Sequence, residues 1–122
     1  MSTRRRRETR GRRAEALAAW WLRLKGYRVR ARRYATPVGE LDLVAARGPV
    51  LAFVEVKARP RAADARAAVT PRQQRRIARA AGVYLQRHPG EQRAHQRFDV
   101  LVLTPRGRPR HLPGAFTAPV GA

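Results

Sequence analysis

The segment from Gly39 to Lys57 constrains the fold most. It holds two β-type runs, Gly39–Ala46 and Pro49–Lys57 (PVLAFVEVK), joined by the short link Arg47-Gly48-Pro49. The second run is rich in β-branched and aromatic residues, and the link predicts an antiparallel hairpin. Upstream, residues 27–35 (YRVRARRYA) alternate in part and read as a strand, with Tyr27, Val29 and Ala31 on one face. Downstream, Phe98–Thr104 (FDVLVLT) is a continuous apolar run of the kind found in buried strands.

Two helical patterns surround these strands. In residues 11–25, Ala14, Leu17, Ala18, Trp21, Leu22 and Lys25 follow helical spacing, and Gly26 suits the left-handed position that ends a helix. Trp20 and Trp21 point about 100° apart on a helix and read as core and boundary residues rather than a base-stacking platform. Thr70 caps a second helix, with Pro71 in its first position and a stripe of Ile77, Ala78, Ala81, Tyr84 and Leu85; Pro89-Gly90 closes it. Residues 58–69 read as a mobile basic loop, and Leu112 to Phe116 form a late apolar anchor. The order is α-β-β-β-α-β, which predicts an α/β fold with helices packed on a mixed sheet.

At 122 residues the chain suits one domain. Residues 11–116 carry the pattern, 1–10 read as a disordered basic arm, and 117–122 as a disordered tail. The absence of cysteine excludes disulfides and thiolate metal sites. No apolar run reaches the roughly 20 residues of a membrane span. The arginine-rich N-terminus lacks the apolar stretch of a signal peptide, so a cytoplasmic protein is expected.

Charge points to the partner. Twenty-eight basic residues against eight acidic ones give a net charge of +20. A field of that sign attracts polyanions, of which nucleic acid is the commonest in a cytoplasm. A membrane surface suits less well, because no long basic segment shows a large apolar face. Arg12, Arg13, Arg59, Arg61, Arg72 and Arg75 are the expected phosphate contacts.

The eight acids are not spread evenly. Glu40, Asp42 and Glu55 lie within residues 39–57, a window of net charge −1 in a +20 chain, on strands where charge is usually avoided. Residues two apart on a strand share a face, so Glu40 pairs with Asp42, and Glu55 with Lys57. With Ala46 opposite Pro49, Asp42 falls opposite Phe53. Glu55 is then a diagonal neighbour roughly 7–8 Å away between Cα atoms. Two carboxylates and a backbone carbonyl, that of Val56, are hard oxygen ligands suited to Mg²⁺ or Mn²⁺. Such a cation stabilises charge developing on a phosphodiester. Lys57 can hydrogen-bond the attacking water or the phosphate, or act as base, which arginine cannot readily do. Only two of the basic residues are lysines, Lys25 and Lys57. On spacing alone, an ordinary cross-strand Glu–Lys ion pair explains the motif equally well.

In order, Gly39-Glu40-Leu41-Asp42-Leu43-Val44, Phe53-Val54-Glu55-Val56-Lys57-Ala58-Arg59 and Arg97-Phe98-Asp99-Val100 resemble the YraN family, an uncharacterised bacterial family. That family is similar to the restriction-endonuclease-like nucleases and the archaeal Holliday-junction resolvases. The resemblance spans roughly Gly11 to Phe116 and implies a restriction-endonuclease-like mixed sheet flanked by helices. It implies metal ligation by Asp42 and Glu55, a catalytic role for Lys57, and a share in the metal site for Glu15, often through water. It also allows a homodimer, since resolvase-like relatives act as dimers. Glu40, on the Asp42 face, is expected in support; Gln74, on the inward face of the second helix, is either within reach of substrate or metal-bound water or an ordinary polar residue near a helix start. Gln73 departs from the pattern, where many relatives carry lysine, and the loop before Thr70 lacks an aromatic-glycine cluster. Asp99 is expected to pair structurally with an arginine, Arg59 or a neighbour of Arg97. The expected function is metal-dependent cleavage of DNA, with branched structures among the candidate substrates. The alternative is a non-catalytic nucleic-acid-binding module on the same fold.

Overall fold

The computed structural model describes the backbone of residues 3–61 and 66–119, and the side chains of 11–61 and 67–119. Its order is α1 (Thr3–Leu24), β1 (Arg28–Thr36), β2 (Gly39–Arg47), β3 (Val50–Ala58), α2 (Pro71–Arg87), β4 (His95–Leu103) and β5 (Arg110–Phe116), with single 3₁₀ turns at Arg66–Ala68 and Pro89–Glu91. The strands form one sheet in chain order. Every neighbouring pair is antiparallel except β3–β4, which is parallel and connected through α2. The mixed α/β sheet with flanking helices is thus the architecture the sequence predicts.

Alternation along β3 assigns the two cores. Leu51 and Phe53 pack with Ile77, Ala80, Ala81 and Tyr84 of α2. Ala52 and Val54 pack with Ala18, Ala19 and Leu22 of α1. Each helix covers one face, and β3 is buried on both.

α1 stops where the sequence says it should. Gly26 sits at φ 89, Tyr27 N–H donates to Leu22 at 3.0 Å, and Gly26 N–H donates to Arg23 at 3.1 Å. These two bonds satisfy the last carbonyls of the helix. Its start differs from expectation, since the backbone of residues 3–10 continues the helix where composition reads as a disordered arm. Arginine is a good helix former, and no Pro or Gly interrupts residues 3–10. Residues 1–2, 62–65 of the expected loop and 120–122 of the expected tail lie outside the described residues.

α2 begins with the expected cap. Thr70 Oγ1 accepts from Gln73 N–H, and Gln73 Oε1 accepts from Thr70 N–H at 2.9 Å. This reciprocal pair gives Gln73 a structural use. Ala80 is buried on α2, whereas Ala78 and Leu85, expected in the stripe, are only half-buried.

Three further differences have local causes. The Gly48-Pro49 turn pairs Arg47 with Val50 and Ala46 with Leu51, two positions away from the expected Ala46–Pro49 register. Gly48 takes φ 55, and Pro49 lacks the N–H a ladder needs. A register shift between Val29 and Ala31 sends those residues to opposite cores, although they were expected to share a face. The apolar anchor near the C-terminus is a fifth strand, β5, disguised by Pro113-Gly114 in its middle.

β5 is fastened by a buried carboxylate. Asp99 is fully buried and accepts two bonds from Arg97, each 2.8 Å, one from Gly114 N–H at 2.9 Å, and pairs with His111 Nε2 at 2.8 Å. Its arginine partner is therefore Arg97 itself, two residues away on the same strand face, rather than Arg59 or a neighbour of Arg97. Burial alone would raise the Asp99 pKa, but His111, Arg97 and Gly114 together hold it below the ordinary value.

Candidate metal centre

The hairpin of β2 and β3 opens at its far end. The last ladder pair is Leu43 with Val54. One step further, Asp42 and Glu55 face each other across the gap. Asp42 Oδ2 accepts a 2.9 Å hydrogen bond from Val56 N–H, and Asp42 stands close enough to Glu55 for its charge to raise the Glu55 pKa. Lys57 Nζ lies 3.5 Å from Glu55 Oε1. The corrected register thus brings Asp42 and Glu55 directly together, where the expected one made them diagonal.

Glu15 and Glu40 complete the cluster. One carboxylate oxygen from each of Glu15, Glu40 and Asp42 lies within 4.8 Å of the others. Glu15 comes from the buried face of α1, which also carries Ala18, Ala19 and Leu22. A break in strand alternation turns Asp42 towards it: Leu41 belongs to the α2-side core, while Leu43, two residues on, belongs to the α1-side core. Across the ladder, pairs Tyr34–Leu41 and Arg32–Leu43 bracket Arg33 and Asp42. Arg33 takes φ 50, left-handed backbone that L side chains rarely adopt. From there its Nε stands 3.8 Å from Glu15 and 3.6 Å from Glu40.

These carboxylates are costly to ionise together. Burial, and then the charge of Asp42, push Glu15 up to about 7, against the pull of Arg33. Burial and Asp42 likewise push Glu55 up to about 8, against the pull of Lys57. Burial raises Asp42 too, opposed by Val56 N–H and Glu55. Among the described residues, no group donates a hydrogen bond to the buried Glu15 Oε2. A buried carboxylate oxygen without a hydrogen bond, within a cluster of three converging carboxylates, is the donor set that a hard divalent cation satisfies.

Of the residues expected at the site, Asp42 lies with Glu15 and Glu40 on one side and with Glu55, beside Lys57, on the other. Val56 contributes its N–H to Asp42. Gln74 is half-buried and donates to the Val69 carbonyl at 3.2 Å, tying α2 to the preceding turn. The expected arginines divide between two faces. Arg12 and Arg13 are exposed on α1. Arg59 follows Lys57 and bonds the Ala58 carbonyl at 2.9 Å, with exposed Arg61 beyond it. Arg72 and Arg75, on α2, line a hollow with Arg76, Arg79 and Val38. Sequence reasoning missed Arg33, since nothing in YRVRARRYA separates it from its neighbours.

The described residues contain no helix long and apolar enough to cross a membrane. The profile of the uncharacterised protein family UPF0102 matches residues 14–103. UPF0102 proteins of Rhodopseudomonas palustris strains CGA009 and BisB18 are 55% and 56% identical over 105 residues; each alignment covers 86% of this chain, and 81% and 78% of those proteins. A UPF0102 protein of Nitrobacter winogradskyi is 53% identical over 105 residues, covering 86% of this chain and 89% of its own.

Proposed function

The chain belongs to the uncharacterised protein family UPF0102, and from its carboxylate cluster we propose that it is a metal-dependent nuclease acting on DNA phosphodiester bonds. The observation that carries this reading is the buried Oε2 of Glu15, which accepts no hydrogen bond from the described residues, beside Asp42 and Glu40. Asp42, Glu15 and Glu55 would hold Mg²⁺ or Mn²⁺, with Glu40 in support. When bound, such a cation supplies charge stabilisation at the phosphoryl oxygens and acidifies a coordinated water.

The side chains do the rest. Val56 N–H fixes the Asp42 carboxylate at the mouth of the hairpin. Glu55 holds Lys57 Nζ near the point where a phosphate would sit. There the ammonium donates to the developing phosphorane charge, or, deprotonated, takes the proton of the attacking water. Arg33 neutralises Glu15 and Glu40 in the metal-free protein. The arginines on both faces would carry the backbone of the polyanion, consistent with the net charge of +20.

The test is a cleavage panel of single-stranded, duplex, flap and four-way DNA with Mg²⁺ and with Mn²⁺. Cleavage lost in Asp42→Asn and Glu55→Gln supports the reading. Purified wild type that binds these substrates and cleaves none with either metal overturns it, and leaves a non-catalytic nucleic-acid-binding module.

A further inference from the structure

α1 exposes Leu17, Trp20 and Leu24, which lie three and four residues apart. Trp20 is 59% exposed, contrary to its expected core or boundary position. Trp21 behaves differently: its ring packs edge-on to His111 and carries Lys25 Nζ at 4.3 Å. Among the described residues Trp20 has no such partner.

Leu17 also floors a groove. One hollow of about 430 Å³ lies between Leu17, Ala14, Pro60, Leu103 and Pro105, with Arg13 and Arg59 at its rim. A second, of about 270 Å³, shares Leu17, Leu103 and Thr104 and continues to Trp20 and Trp21. The combined groove adjoins the carboxylate cluster in sequence on both sides. Arg13 and Ala14 precede Glu15, and Ala58 and Arg59 follow Lys57. The Arg59 guanidinium donates to the Ala58 carbonyl, and the backbone N–H of Arg59 donates to the Leu103 carbonyl at 3.0 Å. A guanidinium so held keeps further donors for an anion.

We propose that this groove binds unpaired nucleotides next to the scissile phosphodiester, with a base stacked on Trp20, an adjoining base among Leu17, Leu103 and Pro105, and their phosphates on Arg13 and Arg59. An exposed aromatic in an apolar groove with a cationic rim suits a single strand, whose bases offer π-faces that a duplex hides. A second copy of this chain is disfavoured by its own +20 charge. An anionic bilayer would take the exposed Leu17, Trp20 and Leu24 of the helix alone and leaves Pro60, Leu103 and Pro105 across the groove without a role. The proposal rests on the nuclease reading and narrows its substrate to DNA carrying an unpaired segment.

The experiment is binding by the full chain in EDTA, where cleavage plays no part. Labelled oligothymidylate and a blunt duplex of equal length are titrated against wild type, Trp20→Ala and Trp20→Phe. Trp20→Ala should weaken oligothymidylate binding on the order of ten-fold and leave duplex binding unchanged, with Trp20→Phe recovering most of the loss. Oligothymidylate should quench wild-type tryptophan emission and spare that of Trp20→Ala, which retains Trp21. Equal loss for both nucleic acids, or no loss for either, overturns the proposal. So does quenching by vesicles of anionic phospholipid in place of oligothymidylate, or a dimer that Trp20→Ala dissociates. Selective binding by a protein that never cleaves DNA leaves the groove assignment standing and removes the nuclease reading; cleavage indifferent to Trp20 does the reverse.

Discussion

Asp42 accepts a hydrogen bond from Val56 N–H at 2.9 Å, across the point where β2 and β3 part. The bond lets a side chain continue a ladder that the backbones have abandoned. It fixes the Asp42 carboxylate before any cation arrives. Loss of it should therefore be read first in metal binding.

Mg²⁺ or Mn²⁺ should raise the melting temperature of the wild-type protein, because a ligand that binds only the native state stabilises it. Asp42→Asn should remove that rise. The metal-free variant should melt no lower than wild type, since one of several mutually repelling carboxylates is gone. Thermal melts with and without metal, on both proteins, check this. Identical metal responses would remove Asp42 from the ligand set.

The same cluster sets a pH dependence. Glu15 and Glu55 have ordinary values of 4.5 in the unfolded chain, and about 7 and about 8 in the folded one. Between 4.5 and about 8 the native state therefore holds more protons than the unfolded state. Without metal, the contribution of these groups falls as pH rises through that window and levels off above it. Metal requires the deprotonated carboxylates, so its stabilising effect should grow over the same range. Melting temperatures from about pH 5 to about pH 9, with EDTA and with Mn²⁺, should converge at the acid end and diverge at the alkaline end.

Lys57→Ala should remove turnover, on the order of 10²–10³ in rate, while binding changes little. One charge among 28 basic residues contributes little to a diffuse field. Lys57→Arg keeps the charge but changes its shape and cannot give up a proton, so it should be nearly as slow. Single-turnover kinetics with nucleic acid in deficit measures this directly. Full activity in Lys57→Arg would reduce the lysine to an electrostatic role.

Arg33→Ala should strengthen metal binding by up to about five-fold, the range of a partly exposed ion pair. Its Nε sits near Glu15 and Glu40, where it competes with an incoming cation. Alanine suffers the same left-handed backbone at this position, so the change isolates the charge. Arg33→Gly additionally relieves that backbone, and should be the more stable of the two variants. Calorimetric titration with Mn²⁺ gives the affinity, and weaker binding in Arg33→Ala would contradict the competition.

Asp99→Ala should destabilise the fold by about 3 kcal/mol, because it strands Arg97 and His111 beside a buried gap. Its effect on the metal-induced rise should be small, since the fork between β2 and β3 does not involve it. Denaturant titration and metal melts on one variant separate these outcomes.

Most of the carboxylate cluster was legible in the sequence through composition. Acids on strands in an arginine-rich chain identified Glu40, Asp42 and Glu55, and parity put Glu55 with Lys57. Register escaped because Gly48-Pro49, rather than Arg47-Gly48, forms the two-residue turn, and a shift of two preserves side-chain parity. Arg33 escaped because positive φ in an arginine leaves no compositional trace. β5 escaped because Pro113-Gly114 imitates a loop while Asp99 receives the Gly114 N–H. Trp20 was misassigned because adjacency to a core residue says nothing about which of the pair faces water.

The parallel pairing of β3 with β4 has a consequence during synthesis. α1, β1, β2 and β3 are complete before α2 and β4 are made. Until β4 docks, β3 is an edge strand that presents Val50 to Ala58, a largely apolar run, to any neighbouring chain. Glu55 and Lys57 are its only charged residues. Charged residues in an otherwise apolar edge strand disfavour pairing with a foreign strand, so the two side chains proposed for catalysis would also serve as gatekeepers while the chain is being made.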